Sequence, residues 1–150
     1  MARIDKIIAN INKKKFEELK ITQEKFIENY NLSSKNQLEI SKFRKLLNGH
    51  VDNFTLKTLE EMGNIFKVPY EEYFGFKGYS YQRKNLIKTL KNNLKFYRNL
   101  KKMNQKEFAK ELGISYCSYK RYEGNYGNPR KDILIQIANK LNIAIINLIK

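Results

Sequence analysis

Met103-Asn104-Gln105-Lys106-Glu107-Phe108-Ala109-Lys110-Glu111-Leu112-Gly113-Ile114-Ser115 runs on to Tyr119-Lys120-Arg121-Tyr122-Glu123, and its reading decides the fold. Phe108, Ala109 and Leu112 recur three or four apart, which is the period of an amphipathic helix. A polar residue stands before each of two short helical segments, where an N-cap side chain satisfies otherwise free N–H groups. Gly113 lies between the segments and allows a sharp turn. The second segment carries a basic, aromatic-bearing face.

Two short helices joined in this way are a helix-turn-helix, whose second helix enters the DNA major groove. The rest of the chain is predicted to be helical as well. Apolar residues recur with helical period at Ile4, Ile7, Ile8 and Ile11, and again at Leu56, Leu59, Met62, Ile65 and Phe66. Strand-like alternation persists nowhere, so the expected class is all-α. Its 150 residues allow one domain or two small ones.

The order of elements repeats. A helix through Leu90, Leu94, Tyr97 and Leu100 precedes Asn104-Gln105, and a helix through Ile8, Ile11, Phe16 and Leu19 precedes Thr22-Gln23, with Thr22 a natural N-cap. Phe26, Ile27 and Tyr30 match Phe108, Ala109 and Leu112. Leu59, Met62, Gly63 and Phe66 match Leu134, Ile137, Ala138 and Leu141. Each half is thus expected to hold five helices, with a domain over 1–75, a linker over 76–86 and a domain over 87–150. The offset is 82 at Gln23 and Gln105 but 76 at Gly49 and Asn125, which leaves six extra residues in the first half. Either its turn is longer, or Ser34 and Gln37 form a capping box and its third helix starts early.

Arg98 and Glu123 occupy places that can meet in the interior as a charge pair. The first half has Phe16 and Leu47 there. Both charges are absent together, which is how a buried pair is replaced without stranding either partner.

These residues resemble the Cro and phage-repressor type helix-turn-helix family. The resemblance covers about Leu90 to Ile149 and rests on Gln105, Ala109, Gly113, Ser115, Arg121, Glu123 and Pro129. The first half resembles the family weakly, with an altered turn. Two departures in the second half are Tyr116 and Cys117, where shorter polar residues are commoner, and Gly124-Asn125, where Asn125 is expected to take the positive-φ position. The resemblance implies a role for each matching residue. Gln105 would hydrogen-bond a phosphate from a helix N-terminus. Ser115 would cap the recognition helix, and Tyr116, Cys117 and Arg121 would face base edges, Arg121 with the fork that suits a guanine. Ser118 and Lys120 would flank, Lys120 on phosphate. Gly124, Asn125, Arg130 and Lys131 would hold the DNA backbone.

Charge divides the halves. The chain carries a net +15. Residues 1–75 hold 13 Lys and Arg against 11 Asp and Glu, net +2, and residues 76–150 hold 17 against 4, net +13. Phosphate neutralisation supplies much of DNA affinity, so the second half is expected to bind duplex DNA and the first either to assist weakly or to bind protein. Lys101, Lys102 and Lys106 flank the motif near the expected phosphates, whereas Lys13-Lys14-Lys15 reads as a solvated face. The aromatic linker around Phe76, Tyr79 and Tyr81 is expected to pack rather than stack on single-stranded bases.

Other classes find little support. No apolar run approaches the roughly 18 residues of a membrane span. The start, Met1-Ala2-Arg3-Ile4-Asp5, lacks the apolar core of a secretion signal, and Cys117 stands alone, so a cytoplasmic setting (bacterial, nucleoid-associated or phage-encoded) is expected. His50 has no partner at metal-ligand spacing, and Glu17-Glu18 point apart on a helix, so no metal, cofactor or enzymatic activity is expected. The apolar ending Ile143-Ala144-Ile145-Ile146-Asn147-Leu148-Ile149 serves either a homodimer or packing within the chain. The expected function is a sequence-specific transcriptional repressor of phage or mobile-element type. The alternative is a mobile-element protein whose first half inhibits a host protein such as a nuclease.

Overall fold

A computed structural model of the protein describes residues 4–49, 53–124 and 126–150. His50 and Asn125 lie outside the described residues. The described residues form an all-α protein with ten helices, and an isolated bridge between Thr55 and Arg130 is the extended pairing among them. They divide into two compact units, 1–52 with 61–82, and 53–60 with 83–150.

The first unit contains α1 (Ile4–Glu18), α2 (Gln23–Ser33), α3 (Ile40–Asn48), the Glu61–Phe66 part of α4 (Leu56–Phe66) and α5 (Tyr70–Tyr73). Thr22 caps α2 as its residue type demands, accepting from the Lys25 N–H at 3.2 Å. The core is aromatic. Phe43 lies 5.4 Å from Phe16, 5.0 Å from Phe26 and 5.7 Å from Phe66, ring centre to ring centre. Such pairs add about 0.5–1.5 kcal/mol each beyond their burial. Beside them the buried Asn12 amide oxygen accepts from the Tyr73 hydroxyl at 2.5 Å.

In the stretch where six extra residues are expected, the chain continues a helix and then makes a long turn. α2 runs on to Ser33, and α3 does not start until Ile40. Ser34 is the C-cap of α2 rather than an N-cap, so the capping-box reading of Ser34 and Gln37 fails. The physical reason is local. Asn31 Oδ1 accepts from the Leu38 N–H at 2.7 Å and its Nδ2 donates to the Leu38 carbonyl, which draws the intervening chain into a closed loop.

The second unit contains α6 (Leu86–Leu100), α7 (Gln105–Leu112), α8 (Tyr116–Glu123), α9 (Lys131–Leu141) and α10 (Ile145–Ile149), together with Asn53–Glu60. Leu86, Leu90 and Leu94 form the buried stripe of α6 and meet Phe108, Leu112, Tyr119, Leu134 and Ile137 in the core. Ile146, Leu148 and Ile149 are buried, with α10 packed on α6 and α9, and Asn93 donates to the Leu148 carbonyl at 2.8 Å. The apolar ending is therefore largely consumed inside this unit. In the stretch expected to be a linker, Phe76 and Tyr79 are exposed rather than packed, while Tyr81 donates to Asn64 at 2.7 Å within the first unit.

Candidate nucleic-acid interface

The geometry of α7 and α8 follows from a few local choices. Asn104 and Glu107 form a capping box, with the Glu107 N–H donating to Asn104 at 2.8 Å and the Asn104 N–H to Glu107 at 3.0 Å. Helix α7 ends at Gly113, whose φ of 71° is left-handed and open mainly to glycine. The turn is then locked from α9. Gln136 Nε2 donates to the Leu112 and Gly113 carbonyls at 2.9 and 2.8 Å, which satisfies two orphan acceptors. Ser115 caps α8 by accepting from the Ser118 N–H at 3.1 Å.

Burial around α8 is one-sided. Tyr119 and Glu123 face inward, and Tyr119 meets Phe108 edge to face at 5.4 Å. Tyr116, Cys117, Lys120 and Arg121 face outward, one turn apart in two adjacent rows. The Lys120 ammonium lies 5.3 Å over the Tyr116 ring. Ser118 is half-buried beside Ser115, with their hydroxyls 2.8 Å apart.

Beneath this face lies the expected ion pair. Arg98 meets Glu123 in a bidentate fork at 2.7 and 3.0 Å, and its remaining nitrogen donates to the Met103 carbonyl at 3.1 Å. The Tyr119 hydroxyl also donates to Glu123. Burial pushes the Glu123 carboxyl up, but hydrogen bonds from Arg98, Tyr119 and Gln105 outweigh it and hold the group below the usual carboxylate range. Glu123 is thus a fixed anion that ties α6, α7 and α8 together. Tyr119, raised chiefly by burial, stays protonated.

The remaining candidate residues lie at the ends of this motif. Gln105 opens α7, half-buried, with its side chain turned to Glu123. Arg130 is exposed at the N-cap of α9, and Lys131 is the first residue of that helix. Gly124 has a φ of −85° and does not supply a left-handed residue after α8. The loop instead depends on Gly127, where a Cβ would lie 2.2 Å from the Tyr122 ring, a need the sequence reading missed. Also missed were Gln136 and Tyr126, which is 83% exposed next to the end of α8.

A helix-turn-helix family model matches residues 94–146. Those residues are a helix-turn-helix domain of the Cro and phage-repressor type. It is a DNA-binding domain of the kind found in transcriptional regulators. A curated relative, the cryptic phage CTXphi transcriptional repressor RstR of Vibrio cholerae, is 46% identical over 41 residues. That match spans 27% of this chain and 37% of the relative. No solved structure matches the chain. Among the described residues no helix is long and apolar enough to cross a membrane, and no group of His, Cys, Asp and Glu is arranged to hold a metal.

The charge asymmetry holds when the chain is divided by compact unit. The first unit has 13 Lys and Arg against 10 Asp and Glu, and the second has 17 against 5. Residues 73–106 contain ten Lys and Arg and no acidic residue.

Proposed function

We propose that the protein is a sequence-specific repressor that occupies duplex DNA through α8. The single observation that carries this reading is the outward face of α8, where Tyr116, Cys117, Lys120 and Arg121 stand together without an acidic residue on a helix capped at Ser115 and anchored through Glu123. Arg121 reads a base edge, with a guanine the best match to its fork. Tyr116 and Cys117 read the neighbouring positions, and Lys120 and Ser118 flank them. The N-terminus of α7 at Gln105, together with Asn125, Arg130 and Lys131, grips phosphates on either side, so affinity falls steeply with salt. Repression is supported by the similarity to a phage transcriptional repressor, which also favours a phage or mobile-element setting.

The first unit we read as a degenerate tandem copy. What supports this is recurrence of backbone features at the sequence offsets. Left-handed Lys20 and Lys102 are 82 apart, as are the N-caps Thr22 and Asn104, and left-handed Lys67 and Asn142 are 75 apart. Its near balance of charge and its exposed Leu19, Ile21 and Leu32 favour a protein partner for residues 1–75, the alternative being inhibition of a host protein such as a nuclease. A homodimer through α10 would rest on Ile145 with the exposed Ala144 and Asn147.

Selection of bound duplexes from a random pool by the full chain tests the main reading. A defined motif that Arg121→Ala blurs supports it. A flat affinity across sequences, or equal loss of specific and non-specific binding in Arg121→Ala, sinks it. For the alternative, a host protein retained by the full chain and released by a Leu32→Asp variant would count in its favour.

A further inference from the structure

Residues Asn53–Lys57 lie far from the helix-turn-helix in sequence, yet they are built into its unit. They meet Asn128–Asp132, the segment that leads into α9. The Leu56 N–H donates to the Pro129 carbonyl at 2.8 Å, and the Lys131 N–H to the Phe54 carbonyl at 2.7 Å. The Lys57 N–H donates to Asn128 Oδ1 at 2.9 Å, and the Asp132 N–H to Asn53 Oδ1 at 3.1 Å. Thr55 faces Arg130 between them. The bonds form a local two-fold exchange. Asn53 and Asn128, Phe54 and Pro129, Thr55 and Arg130, Leu56 and Lys131, and Lys57 and Asp132 are each 75 apart, the offset that also matches Leu59 with Leu134.

The exchange has a consequence at the cationic end of the interface. Helix α9 has no side-chain cap of its own, because its N-cap is Arg130 and makes no such bond. Two of its orphan N–H groups, on Lys131 and Asp132, are satisfied from outside by Phe54 and Asn53. Phe54 is buried, and the Lys131 ammonium lies 5.8 Å over its ring. The backbone of Arg130 and the placement of Lys131 are thereby both set by a segment outside the motif.

We infer that Asn53 and Phe54 are positioning residues for DNA binding, holding Arg130 and Lys131 in the register at which they grip phosphate. This rests on the proposed DNA-gripping role of Arg130 and Lys131. Neither Asn53 nor Phe54 touches DNA. They act by removing the freedom of the α9 N-terminus, so their loss weakens binding to every sequence alike.

The test uses the full chain, a random-sequence duplex and a series of salt concentrations. Asn53→Ala is expected to weaken binding by roughly fivefold to tenfold and to lower the salt slope by about 1, as loss of one phosphate contact does. Asn53→Ser keeps an acceptor for the Asp132 N–H and restores both. Phe54→Leu keeps the site apolar and most of its volume filled, removes the ring beneath Lys131 and shows the same reduced slope in a folded protein. Placed on Arg130→Ala with Lys131→Ala, either change has no further effect, because it acts through those residues. Full additivity in that background, or lowered unfolding midpoints with an unchanged salt slope, overturns the inference while leaving the DNA-binding reading intact. If Arg130→Ala with Lys131→Ala leaves affinity unchanged, the phosphate-gripping role of that end fails and the inference with it.

Discussion

The two units solve the same packing problem with opposite chemistry. In the second, Arg98, Tyr119 and Glu123 join in a buried hydrogen-bonded charge network beside Phe108. In the first, Phe16, Phe43 and Leu47 stand at the matching offsets beside Phe26, and the centre is a stack of rings. The apolar solution needs only volume, and well-packed apolar residues replace buried ion pairs with little or no loss of stability. The polar solution demands bond directions, and it fixes Glu123 at the end of the recognition helix relative to Gln105 and Arg98. The difference teaches where geometry matters. Directional bonds hold helices to a fraction of an ångström, which the DNA-reading role proposed for α8 requires, while a stack of rings keeps a core without fixing such directions.

The comparison is most sharply broken by moving one core into the other. Arg98→Leu leaves Glu123 buried without its cation and should cost about 3–5 kcal/mol in denaturant unfolding. The triple change Arg98→Phe, Tyr119→Phe and Glu123→Leu, which installs the first unit's set, should recover most of that stability while weakening DNA binding. A triple variant as unstable as the single one would show that the two sites are not equivalent in packing. Phe43→Ala should cost a similar amount, about 3–5 kcal/mol, because a void in a ring stack collapses poorly.

At the interface, Arg121→Ala should remove about 1–3 kcal/mol of discrimination at one base position, read by competition between matched and mismatched duplexes. Lys120→Ala should instead weaken binding uniformly and lower the salt slope by about 1. The acid limb of stability provides a gentler probe. Because Glu123 is held below the usual carboxylate range, the unfolded chain takes up its proton first as pH falls. Its stabilisation is therefore complete above that range and lost as pH drops through the lowered native value. Glu123→Gln should flatten this limb by at most about 1.4 kcal/mol per pH unit. The smallest effect is a gain. Glu39 at the N-cap of α3 makes no side-chain bond, unlike Ser115, so Glu39→Ser should add about 0.5–1 kcal/mol to thermal stability.

Much of this architecture was legible in the residues. Arg98 and Glu123 could be paired because two opposite charges on buried helical faces require each other. Gly113 and Ser115 could be placed because a left-handed turn and an orphan helix end each favour few residue types. Tyr119 is core, but neither its burial nor its hydroxyl's reach to Glu123 had a signal in the chain. Gln136 was silent for the same reason, since an amide on a helix is ordinary until a turn from another helix comes under it. Ser34 misled because a capping box needs only two residues at fixed spacing, and Asn31 organised the loop instead.

By itself the sequence determined that the chain is helical, that Thr22 and Ser115 open helices and Gly113 makes the turn between two of them, and that the positive charge gathers in its second half. These follow from period, cap chemistry and composition, all of which act within a few residues or are simple sums. Only the tertiary structure decided that Asn53–Lys57 belongs to the second unit and satisfies the first N–H groups of α9 beside Arg130 and Lys131. The pairing is made chiefly by backbone N–H and carbonyl groups, which every residue but proline carries in full. Backbone contacts leave no mark on residue identity, and the side chains of Asn53 and Asn128 gain their partners only when segments 75 residues apart are brought together.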